Sequence, residues 1–220
     1  MALRLIIGNK NYSSWSLRPW IAMKVAGIPF EEEVLPLDTP AFKERLSLVS
    51  GTGKVPTLID GQVRVWESLA ILEYLAERYP DAGLWPKNPA ARAHARAIAS
   101  EMHAGFQALR RACPMNMHRP AKAIALDDEA QANIARIVQM WTDCRARFGA
   151  ANGEGPFLFG RFGAADAMYA PVVSRFRTYA ISSEAGTESY MAAVEALPAY
   201  AEWLAAAKAE PWIRAKDEIP

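Results

Sequence analysis

The chain has little cysteine. Two residues, Cys113 and Cys144, occur in 220 positions, and neither belongs to a CxxC pair. That excludes a disulfide framework and fits a reducing compartment. Charge of either sign in excess is also missing: lysines and arginines number 25 against 24 acids, a net charge of +1. No long-range field therefore gathers nucleic acid or an anionic membrane, although a local basic pocket for a small anion is still allowed. No apolar run nears the roughly 20 residues that span a bilayer. The run in "MALRLIIGNK" is too short for a secretion signal, so a cytoplasmic protein is expected. Histidines are few. His94 and His103 fall on opposite faces of one expected helix, and with His118 they form no metal constellation.

What is present falls into two textures. Up to about residue 80, short β-like runs alternate with helical ones. "LRLIIG" reads as a buried strand. "SWSLRPWIAMKVAG" reads as a helix stopped at Gly27, with Pro19 in its first turn and Leu17, Trp20, Ile21 and Val25 on one face. "PFEEEVLPL" reads as a second strand, and "PAFKERLSLV" as a short helix. "VPTLIDGQVRVWES" reads as a hairpin turning at Asp60–Gly61, followed by the helix "SLAILEYLAERYP". The order β-α-β-α-β-β-α implies one parallel and one antiparallel pairing. "PDAGLWPKNPAAR" is rich in Pro and Gly and reads as a linker. Beyond it the pattern is helical. "AARAHARAIASEMHAGFQALRRAC" reads as one long helix, and "DDEAQANIARIVQMWTDCRARFG" as another with its charges matched to the helix dipole. The very apolar "AADAMYAPVVSRFRTYA" is placed at the centre, and "SYMAAVEAL" and "PAYAEWLAAAKA" follow. The expected division is 1–80 for the α/β domain, 81–90 for the linker and 91–220 for the all-helical domain.

Three stretches carry chemical possibilities. In "GKVPTLIDG", Pro56 stands directly before a strand, where it cannot donate to the ladder. A cis Val55–Pro56 bond would leave the Val55 backbone unpaired and open to another peptide laid alongside; an ordinary trans turn is the alternative. "GTGK" lacks the glycine spacing and the following Ser or Thr of a phosphate loop. In "WESLAILEYL", Glu67 and Ser68 stand where hairpin becomes helix. They read as a helix cap, or as the acceptor and donors that a zwitterionic amino-acid head requires. In "NYSSWSLRPW", Ser13, Ser14 and Ser16 precede the first helix, as caps or as hydroxyls held for chemistry.

Together these stretches resemble the cytosolic glutathione transferases over nearly the whole chain. The N-terminal part is similar to their thioredoxin-like domain and the rest to their all-helical domain. "SSWSLRPWIAMKVAGIPFEE" is similar to the zeta class, with its Ser-Ser-Cys-x-Trp-Arg, and the opening is closer still to a bacterial branch of the superfamily. The resemblance implies that glutathione is the co-substrate, with no metal, and that the chain forms a homodimer. It implies that Val55, before cis-Pro56, pairs with the cysteinyl part and that Glu67 and Ser68 hold the γ-glutamyl head. Lys54 is a contact for a ligand carboxylate. The thiol then points at the serines. Ser13 holds the catalytic position by register with the zeta pattern, or Ser14 if the loop differs by one residue. Ser16 caps the helix, and Tyr12 is an outside candidate. A hydroxyl donor plus a helix N-terminus would favour thiolate over thiol. The zeta cysteine is Trp15 here, so mixed-disulfide chemistry lacks its nucleophile.

The implied activity is attack of the thiolate on a small hydrophobic electrophile. Two alternatives stand beside it: a zeta-like cis-trans isomerase of a small diacid, and a non-catalytic carrier or interaction module. In the helical part, Asp166 reads as a structural acceptor after Gly163. Arg110, Arg111, Arg175 and Arg177 read as solvated helix faces, with anion contact the alternative. Met102, Phe106, Met115 and Met117 read as core, with a pocket lining the alternative.

Overall fold

The computed structural model describes residues 2–149, 155–181 and 185–219. Strand β1 (Leu3–Gly8) is followed by helix α1 (Ser14–Val25), β2 (Phe30–Leu35), α2 (Pro40–Val49), the hairpin β3 (Thr57–Asp60) and β4 (Val63–Trp66), and α3 (Ser68–Arg78). The sheet order is β2-β1-β3-β4. β1 and β2 are parallel, while β1–β3 and β3–β4 are antiparallel. The hairpin turns at Gly61, whose φ of 59° lies in the left-handed region that glycine adopts without a Cβ penalty. The helical part comprises α4 (Pro89–Ala104), α5 (Gln107–Ala112), α6 (Asp128–Phe148), α7 (Ala164–Thr178), α8 (Ala185–Glu195) and α9 (Pro198–Ala209). This is an α/β thioredoxin-like domain joined to an all-α domain. No helix among the described residues is long and apolar enough to cross a membrane.

Three expectations change. The single helix expected over 90–113 is broken. Gly105 leaves helical geometry, and Phe106, buried, takes a φ of 58°. A Cβ on Gly105 would lie 2.8 Å from the Glu101 carbonyl, so only glycine fits that break. The break re-aims α5, which decides the site described below. Second, α8 begins at Ala185, four residues before the stretch read as helical. Third, α1 is not one-sided. It packs against α3, α7 and α9, burying Ser16, Leu17, Arg18, Trp20 and Ile21 completely, whereas Val25 is exposed at its end.

Pro19, expected in the first turn, instead sits inside α1, where it has no N–H to close on the Trp15 carbonyl four residues back. The Ser68 hydroxyl supplies that bond instead, donating to the Trp15 carbonyl at 2.8 Å. One proline thus ties the start of α1 to the start of α3. In the other half, α7 is buried almost all round, and Asp166 accepts from the N–H groups of Leu158 (3.0 Å) and Gly163 (2.9 Å). Its structural reading stands. Burial pushes its carboxyl up to about 6.

Candidate active site

The serine turn is fixed by its neighbours before any ligand arrives. The Asn9 carbonyl accepts from the N–H of Tyr12 and of Ser13, at 3.2 and 2.8 Å. The Lys10 and Asn11 N–H groups donate to the Glu210 carboxylate at 2.7 and 3.1 Å, beyond the end of α9. The Asn11 side-chain oxygen accepts from Met117 and His118 N–H groups at 2.6 and 2.9 Å. Elements about 100 and 200 residues away in the chain therefore clamp the turn.

Within it the three hydroxyls differ. Ser13 is the N-cap residue of α1 by position, yet its side chain makes no cap hydrogen bond. Its Oγ lies 2.7 Å from Ser16 Oγ. Ser16 is not a cap either: its Oγ accepts from the Gly8 N–H at 3.1 Å, at the end of β1. The Ser14 hydroxyl has no hydrogen-bond partner among the described residues, and Ser14 lines a cavity. Tyr12 is committed elsewhere. Its hydroxyl donates to Glu218 at 2.6 Å, and burial, then that carboxylate, raise its phenol above its ordinary value.

Two adjoining cavities open at this turn. One, of about 280 Å³, is lined by Lys54, Val55, Pro56, Glu67, Ser68 and His103, among others. The other, of about 530 Å³, is lined by Ser13, Ser14, Met115, Arg175 and Arg214, among others. Trp15, Lys54, Val55, Gln107 and Arg110 belong to both, so Trp15 and α5 form the wall between them. The Val55–Pro56 bond is cis. The Val55 main chain makes no hydrogen bond among the described residues, which leaves its N–H and C=O for an added strand-like segment. Glu67 adopts a φ of 67° just before α3, and its carboxylate lies 3.6 Å from His103 Nε2. The Ser68 hydroxyl proton is spent on Trp15; its oxygen and the N-terminus of α3 still line the smaller cavity.

The arginines read as solvated faces divide. Arg177 does lie outward, forked onto Glu195 and Glu188. Arg111 pairs with Glu129 at 3.2 Å but also borders the larger cavity. Arg175 is buried, its Nε donating to the Cys113 carbonyl at 2.8 Å, and its value is brought down to about 10 by burial and then by Arg110. Arg110 is half-buried, with its ordinary value lowered by burial. No acid pairs with either among the described residues. Arg18 and Arg110 flank the Trp15 ring, 4.2 and 4.4 Å from its centroid. Met115 lines the cavity; Met102 is core. Cys113 and Cys144 are buried, and burial pushes their thiols up to about 11 and 12, so neither is a nucleophile. Among the described residues no three His, Cys, Asp or Glu side chains cluster to hold a metal. Sequence reasoning missed Gln107, because nothing in its own neighbourhood marks it; after the Gly105–Phe106 break it stands exposed at the rim of both cavities, its amide donating to the Ala104 carbonyl at 3.3 Å.

The glutathione S-transferase N-terminal domain pattern matches residues 12–78, and the glutathione S-transferase C-terminal domain pattern matches residues 118–206. This chain belongs to the glutathione S-transferase family. It is 44% identical over 98 residues to a probable maleylacetoacetate isomerase of Caenorhabditis elegans, a stretch covering 44% of this chain and 45% of that relative. The chain thus spans less than half the length of that curated relative. A solved glutathione transferase homolog from Burkholderia, with bound glutathione, superposes with a TM-score of 0.69 at 23% identity, covering 96% of this chain and all of that one. A diazinon-metabolizing glutathione S-transferase of the silkworm, Bombyx mori, gives a TM-score of 0.70 at 17% identity, covering 94% and 98%. These two likenesses are of fold.

Proposed function

We propose that the chain is a glutathione transferase that holds the glutathione thiol as thiolate and directs it at a small electrophile. In this reading the smaller cavity takes the peptide. Val55 pairs with its backbone, Glu67 accepts from its ammonium, and the main-chain N–H groups at the α3 N-terminus, that of Ser68 among them, donate to its amino-acid carboxylate. Lys54 faces the second carboxylate. The sulfur then reaches the serine turn. The observation that carries the reading is Ser13: it stands at the N-cap position without capping, and its Oγ is shared with Ser16 Oγ alone among the described residues. Ser16 accepts from the Gly8 N–H. If Ser16 donates onward to Ser13 Oγ, 2.7 Å away, the Ser13 proton is left for the sulfur. A chain of hydroxyls begun by a main-chain donor strengthens along its length. Ser14, whose hydroxyl is unpartnered, is the second donor. The electrophile enters the larger cavity, and homodimerisation belongs to the same proposal.

The test is the pH dependence of thiolate absorbance and of turnover for Ser13→Ala and Ser14→Ala. Loss of the donor is expected to cost roughly 10²–10³-fold in rate and to return the bound thiol toward its free value. If neither alanine changes the ionisation, the serine reading fails and the fold serves carriage.

A second reading is favoured by a specific observation. Arg110 and Arg175 border the larger cavity with no acidic partner among the described residues. Asp38 and Asp217 also line it but are paired with Arg214, so the wall still suits an anionic second substrate, such as a small diacid that is isomerised by addition and loss of the sulfur. The relative named as a maleylacetoacetate isomerase is in keeping with it.

A further inference from the structure

Arg18 lies in the first turns of α1, and its side chain is completely buried. Its Nη1 donates to the Ser14 carbonyl at 2.7 Å, and its Nε to the Met168 carbonyl at 3.0 Å. Its Nη2 is buried with no partner among the described residues. The guanidinium lies against the Trp15 ring, at 4.2 Å. The groups that face it are therefore Ser14 and Trp15 of α1, Met168, Tyr169 and Arg175 of α7, and Arg110 of α5. None is a carboxylate, and two are further cations.

A buried charge without a counter-charge is costly, and a packed apolar replacement is often no less stable. Burial and the two neighbouring arginines push the Arg18 guanidinium below its ordinary value. Arginine nevertheless keeps its proton in proteins. The positive charge is thus fixed beneath the serine turn, in a medium that screens it little.

We propose that Arg18 is the positioning residue for thiol activation: its uncompensated charge, held against the Ser14 carbonyl, supplies the field that keeps the bound sulfur anionic. This rests on the reading of the serine turn as the thiol site. Arg18 does not touch the sulfur; it acts through the turn and through space. Lys54 and Arg110 are also cations beside the cavities, but solvent reaches both and salt weakens their effect. Arg175, buried as Arg18 is, lines the larger cavity itself, and Arg175→Gln moving the bound thiol as far as Arg18→Gln would overturn the assignment to Arg18.

The experiment follows the ultraviolet absorbance of glutathione thiolate against pH in wild type, Arg18→Gln and Arg18→Lys, with glutathione affinity measured alongside. Gln keeps hydrogen-bonding capacity and removes the charge; Lys keeps the charge. In Arg18→Gln the bound thiol is expected to titrate about one unit higher, roughly a tenfold loss of thiolate near neutrality. Arg18→Lys retains most of the wild-type shift. A folded Arg18→Gln whose bound thiol titrates as in wild type overturns the proposal. So does Arg18→Lys losing as much as Arg18→Gln, which would make the role one of hydrogen-bond geometry.

A second measurement needs no variant. Between about 0.01 and 1 M salt the Debye length falls from roughly 30 to 3 Å. The wild-type thiol is expected to titrate at nearly the same pH throughout; a return toward the free value at high salt overturns the proposal and assigns the effect to the exposed cations. A wild-type thiol that ionises as in free solution overturns this proposal and the serine reading together. No glutathione binding at all overturns the ligand-site reading beneath both.

Discussion

Two sets of arginines use the same side chain in opposite ways. On the outside, Arg45 forks onto Glu33 at 2.6 and 2.9 Å, Arg96 onto Glu73 at 2.9 and 3.0 Å, and Arg136 onto Glu101 at 2.8 and 3.0 Å. Hydrogen bonds to the carboxylate raise each above its ordinary value. Around the cavities, Arg18, Arg110 and Arg175 have carbonyl or ring partners, and burial lowers all three. The outer pairs are complete. The inner cations are not: Arg110 and Arg175 line the larger cavity without a carboxylate partner among the described residues, and Arg18 is buried and lines neither cavity. A count of arginines cannot distinguish the two sets; only their partners can.

Asp166 offers the sharpest check, as the mirror case of a buried anion held by N–H groups. Its carboxyl is pushed up to about 6 by burial, although bonds from Leu158 and Gly163 pull the other way. The ordinary value is about 3.9. Between those values the folded state keeps a proton that the unfolded state has lost, so stability from this group is complete below pH ~4 and declines as pH rises to ~6. Urea denaturation from acid to neutral pH should show wild type losing on the order of 3 kcal/mol relative to Asp166→Asn. Parallel curves would mean the carboxyl is not held above its usual range.

Arg110→Gln tests the inner set directly. Losing a charge-assisted contact worth about 1.5–3 kcal/mol should lower kcat/KM for an anionic electrophile roughly ten- to hundredfold more than for a neutral one. Equal losses for both would place Arg110 in the wall without a role in recognising charge. The smallest effect is expected outside. Arg45→Ala breaks a part-exposed pair, and such pairs contribute less than about 1 kcal/mol. Thermal melts should move by no more than a few degrees. A larger shift would blur the comparison, since the outer pairs would then matter as much as the inner cations.

Much of the candidate site's local geometry was legible because its first half is local. The cis-proline, Glu67 and Ser68 sit at the joints of one hairpin and one helix, and the serines sit at the joint of one strand and one helix. Turn and cap chemistry depends on neighbours within a few residues, so short stretches carry it. The helical contribution was not legible. Arg175 reads as a charge on a helix and is buried; Gln107 carries no signal of its own. Both depend on how helices pack, and Gln107 depends also on the break at Gly105 and Phe106.

Alone, the order of residues determined the sheet, the first helix with its serine turn, the hairpin and the helical character of the rest. Periodicity, glycine and proline act over one or two turns, and local sterics decide them. Tertiary structure decided which hydroxyl is shared and which is unpartnered, which arginines lack a carboxylate, and that Ser68 replaces the bond Pro19 cannot make. Those outcomes depend on partners as far apart in the chain as Ser68 from Trp15 or Met168 from Arg18. The strength of a charge or a hydroxyl is set by burial and by what stands next to it, and only the folded chain brings those neighbours together.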